Sequence, residues 1–491
     1  MHSRSSVVFL GVAGVMLGAC AASHPSAAPP TETESGVPSD TGTPGIKATD
    51  DAGAEAGASF VLDEVSLPRE PAAGISSEAL SAAVVANNAF AVDLYGKVRA
   101  DLDAGSSNLL TSPVTASLAL TMTYAGAMGQ TATEMATALH IDADAGVSIF
   151  DGQNALSQAL ALRGHDALTA ATQSAASGQA APSADDYQLE VVNAVWGQRS
   201  YPWASPFLGI LAQKYGTGVY LVDFSAQPDP SRLAINGWVS SETGNKITNL
   251  LPSMSIDAMT RMVLVDALHL KFPWSTTFDI SATMTAPFTR ADGTTVSAPF
   301  MNRTDTLAYV DDGQAQIVGL PLFGGTLSLV IALPHDGTSL ATYEDALVAG
   351  SPALSQPLSG SLVALSLPKA TFTSPSFSLR AALEGMGMVQ AFDPGAANLL
   401  GLCPNPPDGP LYVEDVLQKG MISMQETGVE AAAATAVIID ADGAVVISDA
   451  GPPQPVPMVV NRPYLVAIVD IPTGAILSLG HVGDPTDIGS P

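Results

Sequence analysis

Two cysteines, Cys20 and Cys403, are too few for a disulfide framework, so the fold has to rest on packing. Basic residues are scarce as well: 18 Lys and Arg stand against 47 Asp and Glu, a formal net charge of −29. A field of that sign repels phosphate backbones and anionic headgroups, which excludes nucleic acid as a partner and argues against a polyanion-binding patch. Aromatic residues make up only 6% of the chain, yet 47% of its 491 residues are hydrophobic, enough for one large core or two ordinary ones. Catalytic motifs are missing too. There is no Gly-x-Ser-x-Gly elbow, His-Glu-x-x-His, Cys-x-x-Cys or P-loop, and the seven histidines are scattered, so no enzyme is expected. Asp440-x-Asp442-Gly443 opens like a calcium loop but lacks the distal glutamate, and neither a metal nor a cofactor is expected. Cys403, followed by Pro404, reads as a passive thiol.

The apolar run from Val7 to Leu17 is too short to span a bilayer and reads as the core of a signal peptide. Its end, Leu17-Gly18-Ala19-Cys20, resembles a bacterial lipobox. That resemblance implies lipid on the Cys20 sulfur, a mature N-terminus at Cys20 and anchorage in a membrane; a plain secretory peptide cleaved nearby is the alternative. Ala21 is not aspartate, which in the sorting pattern this resembles favours the outer membrane, with an extracellular or cell-envelope location. Residues 21–75 are rich in Ser, Thr, Pro, Gly, Ala and acidic side chains without apolar periodicity, the composition of a disordered tether. The expected domain therefore covers residues 76–491.

Within it, Val84, Ala91, Leu94, Tyr95 and Val98 recur at helical spacing, and Asn108–Thr111 reads as a strand before Ser112-Pro113, a cap and a first-turn proline. Thr131-x-x-Glu134 reads as a capping box. Residues 165–186, rich in Ala, Ser and Gln, read as a mobile insertion. From Gln188 strands and helices alternate, and Met262–Leu270 is apolar on both faces, as a central strand would be. Phe323-Gly324-Gly325 and Thr473-Gly474 mark hairpins. Strand runs outnumber the helices between them, giving an α+β domain built on sheets.

One stretch is divided against itself. In Gln425–Gly443, Glu430 and the alanines Ala431, Ala432, Ala433 and Ala434 favour helix, whereas Val437-Ile438-Ile439 favours strand. With a period of two, Val429, Ala431, Ala433, Thr435 and Val437 share one small or apolar face and Glu430 falls on the other. Such a strand can slide between close neighbours; an Ala-rich surface helix is the plainer alternative.

The run Glu426-x-Gly428-Val429-Glu430 through Thr435 resembles the reactive-loop hinge of inhibitory serpins. It precedes Asn461-Arg462-Pro463-Tyr464-Leu465 and Gly480-His481-Val482-Gly483-Asp484-Pro485, which resemble the family's C-terminal signature. Asn108 through Thr131, Ile235-Asn236-x-Trp238-Val239 and Leu268 through Trp274 match the family's order of motifs, and the likeness runs from about Ser76 onward. It implies about three β-sheets with eight or nine helices and an exposed reactive-centre loop at about residues 426–457.

The resemblance also implies a function: inhibition of serine proteases, with cysteine proteases as a second target class, by loop cleavage and insertion of the hinge into the main sheet. The partner is then the target protease, the inhibitor a monomer. Trp274 would lie at the breach where the loop enters, and Ser112, Thr115, Asp266 and Gln418 in the region controlling sheet opening. Two of these depart from the family, which commonly has Asn at Asp266 and His at Gln418; Gln still donates and accepts. Counting forward from Gly428 by the spacing of the inhibitory serpins it resembles places the cleaved bond at Asp442-Gly443, with Ala441 as the alternative and Val445–Ile447 a more distant one. A proline-bearing return segment after Gly443 lengthens the loop. The other readings are a serpin fold without inhibition, serving as a binding or transport module or a plain substrate, and a tethered surface adhesin.

Overall fold

The computed structural model describes residues 59–101, 108–142, 146–175, 181–350, 359–374, 376–430 and 454–489. Strand β1 (Val61–Asp63) leads to α1 (Ser77–Asp101), which buries Phe90, Ala91, Leu94, Tyr95 and Val98. Strand β2 (Asn108–Thr111) runs into α2 (Pro113–Tyr124), where Pro113 takes the first helical position and the missing N–H costs nothing. Eleven residues of α2 are buried, so this helix lies inside the body rather than on it. Helices α3 (Gly129–Ala138), α4 (Ile149–Ala161) and α5 (Arg163–Ser174) follow.

Strand β3 (Gln188–Gln198), helix α6 (Ser205–Ile210), β4 (Val219–Val222), α7 (Pro228–Glu242) and β5 (Met262–Pro273) alternate as expected. Then come β6 (Met284–Thr289), β7 (Thr295–Asp311), β8 (Ala315–Pro321), β9 (Leu327–Pro334) and α8 (Leu340–Val348). Next are β10 (Ser359–Pro368), β11 (Ala370–Thr373), β12 (Phe377–Ser378) and α9 (Arg380–Gly385). The chain closes with β13 (Val416–Gln418), β14 (Met421–Met424), β15 (Gly428–Val429), β16 (Val456–Val459), β17 (Tyr464–Asp470) and β18 (Ala475–Val482).

Among the described residues the strands form two networks. The first runs β1-β4-β3-β5-β15-β14-β11, with β13 on β5 and β12 on β13. The second runs β16-β10-β7-β8-β9-β17-β18-β2, with β6 on β7. The expected three sheets become two networks because the long β7 pairs with β6 and β10 and then, at its end, with β8. Strand β5 is central and buried on both sides. Its Leu264 and Leu270 face the larger core, while Val263, Val265 and Ala267 face a smaller core shared with Ile235, Trp238 and Val239 of α7.

Three expectations need correction. Order begins well before Ser76: β1 pairs antiparallel with β4, Arg199 Nη2 donates to Ser59 O at 2.7 Å, and the Phe60 ring meets Trp196 edge-on at 5.1 Å. Composition misled because this strip lacks its own core and packs on one made by other elements. Residues 165–174 are helical rather than mobile, since Ala167 and Ala171 are buried and Arg163 makes a two-pronged ion pair with buried Asp470 at 2.6 and 3.0 Å. The capping box does not form either. Helix α3 starts at Gly129, and the Glu134 carboxylate accepts from the Val389 and Gln390 N–H groups at 3.0 and 2.7 Å instead.

Candidate functional site: a split sheet and its hinge

Strands β5 and β13 run parallel but stay together only briefly, pairing Leu264 with Val416 and Val265 with Leu417. Some way up β5, Phe272 and Pro273 pair instead with Val429 and Gly428 of β15. Between these points, residues 266–271 of β5 have no ladder partner on this side among the described residues. The first sheet is therefore split, and its two ends carry different side-chain clusters.

At the upper end the chain leaves β14, turns through Gln425–Gly428 and re-enters the sheet as β15 between β14 and β5. The turn is closed by Gln425 N–H to Gly428 O at 2.9 Å. Gly428 is required by proximity: a Cβ there would lie 2.3 Å from Phe272 O. Trp274, buried, donates from its indole to Gln425 O at 2.8 Å and from its backbone to Thr427 O at 3.1 Å, so it holds both sides of the turn. Glu426 is held by Lys369 at 2.8 Å and Thr283 at 3.0 Å; burial raises its carboxyl, but these partners outweigh it and the net lies below the ordinary value.

Val429 is buried in the larger core. Glu430 points to the other face, toward Lys246 in the segment after α7, and there it is not in solvent. Its carboxylate pairs with Lys246 Nζ at 2.7 Å and with His269 Nε2, and its φ of 51° turns the chain out of strand geometry. Burial pushes the Glu430 carboxyl up, but His269 and Lys246 more than reverse this. Glu430 thus sits at the mouth of the split as an ionic latch, beside a small cleft lined by Leu268, Leu270, Met421 and Ile422.

At the lower end the structure brings Ser112, Thr115, Asp266 and Gln418 together, all buried. The Gln418 amide accepts from Ser112 N–H at 2.9 Å and donates to Ser112 O at 2.9 Å and Asp266 Oδ1 at 2.8 Å. Thr115 Oγ1 lies 3.0 Å from the same Asp266 oxygen. Ser112, expected as a helix cap, makes no capping bond; its hydroxyl lies 3.3 Å from Leu477 O, tying α2 to β18. Ala431, Ala432, Ala433, Ala434, Thr435, Ala441, Asp442, Gly443 and Cys20 lie outside the described residues.

Sequence reasoning missed Lys246, His269, Lys369 and Thr283, the partners of the two hinge glutamates. His269 left one trace, a polar residue within the apolar run of β5. The others carried no signal.

A helix buried beneath a sheet split between β5 and β13, with Gly428 and Val429 docked at the upper end of the gap, is the arrangement that the comparisons with known proteins meet. A family model for the serpins (serine protease inhibitors) matches residues 85–485. Leukocyte elastase inhibitor of Bos taurus is 32% identical over 417 residues, covering 83% of this chain and all of that protein. Antithrombin-III of Mus musculus is 29% identical, covering 82% of this chain and 81% of that one. Among solved structures, the thermophilic serpin tengpin in its native state matches with a TM-score of 0.68 at 26% identity, covering 86% of this chain and 97% of that one. The chain belongs to the serpin family.

Proposed function

We propose that this serpin is an inhibitor of serine proteases, with cysteine proteases as a second class, acting as a monomer by suicide cleavage of its loop. The observation that carries the reading is the docking of Gly428 and Val429 between β5 and β14, with only small residues following on the inserting face at Ala431, Ala433 and Thr435. A bulky, charged or proline residue there would block further entry. The target attacks the loop and forms an acyl-enzyme; the freed hinge then inserts and drags the protease away before deacylation. About 15 inserted residues, each gaining backbone hydrogen bonds at roughly 0.5–1.5 kcal/mol net, supply on the order of 10–20 kcal/mol. At ~3.3 Å per residue they also span about 50 Å.

The bond assigned to cleavage is Asp442-Gly443, with Ala441 as the alternative primary residue. A buried acidic side chain needs a basic pocket, so Asp442 selects Asp- or Glu-directed proteases, whereas Ala441 would suit elastase- or subtilisin-like ones. Lipid on Cys20 places the protein at the cell envelope. The test is incubation with a protease panel followed by denaturing electrophoresis and mass spectrometry. A covalent complex that survives denaturation, releasing a peptide beginning at Gly443, is expected. Cleavage without any complex would reject inhibition, and a peptide beginning at Asp442 would move the site to Ala441. Release of a Cys20→Ser variant from membranes tests the anchor.

A further inference from the structure

Asp266 and Gln418 stand at the fork of the split sheet, one residue beyond the last β5–β13 pair, Val265 with Leu417. The Asp266 carboxyl is fully buried and its oxygens are unequally served. Oδ1 faces the Gln418 amide and the Thr115 hydroxyl, but Oδ2 has no hydrogen-bond partner among the described residues. Thr115 has one proton to give, and Ser112 O and Ser112 Oγ, each at 2.9 Å, compete for it.

Among the described residues no cation offsets this carboxyl from any side. Helix α2 contributes Thr115, the residue before it is Ser112, β13 offers Gln418, and β3 offers Asn193, directly opposite Asp266 in the ladder. His269 and Lys419 alternate to the other face, where they engage Glu430 and Thr248 O. Asn193 Oδ1, on the residue paired with Asp266 across the ladder, is likewise buried without a donor among the described residues. Ionised, Asp266 is a buried charge with one bare oxygen, which only water entering an opened fork can solvate. Burial pushes this carboxyl up to about 7, against the pull of Gln418 and Thr115.

We infer that Asp266 is a positioning residue whose proton decides how firmly β5 and β13 stay zipped, the sheet opening more readily once that proton is lost. Its functional meaning rests on the loop-insertion reading, but its test does not. The closed fork holds a proton that an opened, hydrated aspartate, with a pKa of about 3.9, gives up. Opening is therefore favoured about tenfold per pH unit from roughly pH 4 to 7 and levels off above that. A serpin of this design is firmly shut in acid and released toward neutrality.

The experiment is hydrogen exchange of the whole protein between pH 5 and 8, each rate divided by the intrinsic chemical rate. Peptides covering residues 262–268 and 416–420 should gain about tenfold per unit up to pH 7 and then plateau, while Asp266→Asn, neutral and isosteric, stays flat. Peptides from β8 and β9 serve as the internal reference. Equal slopes in wild type and variant would overturn the inference. Isotope-edited infrared spectra of wild type labelled with 13C-aspartate give a readout that needs no variant: a protonated buried carboxyl band should vanish near pH 7, and its absence at pH 5 would equally overturn the assignment. Neither readout involves a protease, so failure to inhibit and failure of the proton gate remain distinguishable.

Discussion

Replacing Val429 by Arg puts the insertion reading under direct strain. Val429 is buried between β5 and β14 with its side chain in the larger core. A guanidinium there loses its water without gaining a partner, an effective cost of several kcal/mol. The uncleaved protein can escape by undocking β15, which gives up the Val429–Phe272 and Gly428–Pro273 pairs and exposes the hinge. The inserted state has no such escape. If the insertion transition state feels about 3–4 kcal/mol of this penalty, insertion slows about 10²–10³-fold, since each 1.36 kcal/mol is a factor of ten. Deacylation then wins, and titration against a protease that complexes the wild type should show a stoichiometry raised more than tenfold, with cleaved inhibitor in place of complex. Glu430→Gln is the control: it weakens the latch to Lys246 and His269 on the opposite face without burying a new charge, so inhibition should survive. Wild-type stoichiometry for Val429→Arg, or equal damage from both changes, would refute the reasoning.

Gly428→Ala places a Cβ 2.3 Å from Phe272 O, so the hinge should be expelled and limited proteolysis between Gln425 and Thr435 should accelerate; unchanged cleavage would mean the docking is loose. The carboxyls of Glu426 and Glu430 are both held below their ordinary value, so their stabilisation is present above about pH 4.5 and is lost as pH falls through the folded-state value. Hydrogen exchange of residues 425–430 should therefore rise in acid in the wild type and much less in the Glu426→Gln, Glu430→Gln double variant. Removing the chain up to Ser76 deletes β1, the Phe60–Trp196 contact and the Glu70–Lys214 ion pair, and should lower the melting temperature by a few degrees for the loss of about 2–4 kcal/mol. An unshifted melt would show this strip to be passive.

Much of the fold was legible because its signals are local or periodic. The two-sided apolar run of β5 and the Gly-bearing hairpin turns each follow from residue type and spacing alone. The site was legible in part: Trp274, Asp266 and Gln418 carried their positions through resemblance, while the partners that set their electrostatics did not. Glu430 illustrates the limit. Alternation put it opposite Val429, but His269, 161 residues away in the chain, makes that face a buried ion pair rather than solvent. Glu134 fails for the same reason, its carboxylate engaged by the backbone N–H groups of residues 389 and 390. Residues 59–75 and 165–174 look polar or low in complexity by themselves and are ordered by surfaces that other elements supply.

The most direct measurement is thermal unfolding before and after a single cut in the loop at the assigned bond, Asp442-Gly443. From Glu430 to Asp442, about 13 residues remain to insert, each gaining ~0.5–1.5 kcal/mol, or roughly 6–20 kcal/mol in all. At about 0.002 kcal/mol per kelvin per residue of unfolding entropy, a body of some 400 residues gains roughly 1 °C per kcal/mol. The cut protein should therefore melt about 6–20 °C above the intact one, with the released C-terminal piece still bound through β16, β17 and β18. A cut protein that melts at or below the intact temperature would contradict the account, because the loop would then have been severed without entering the sheet.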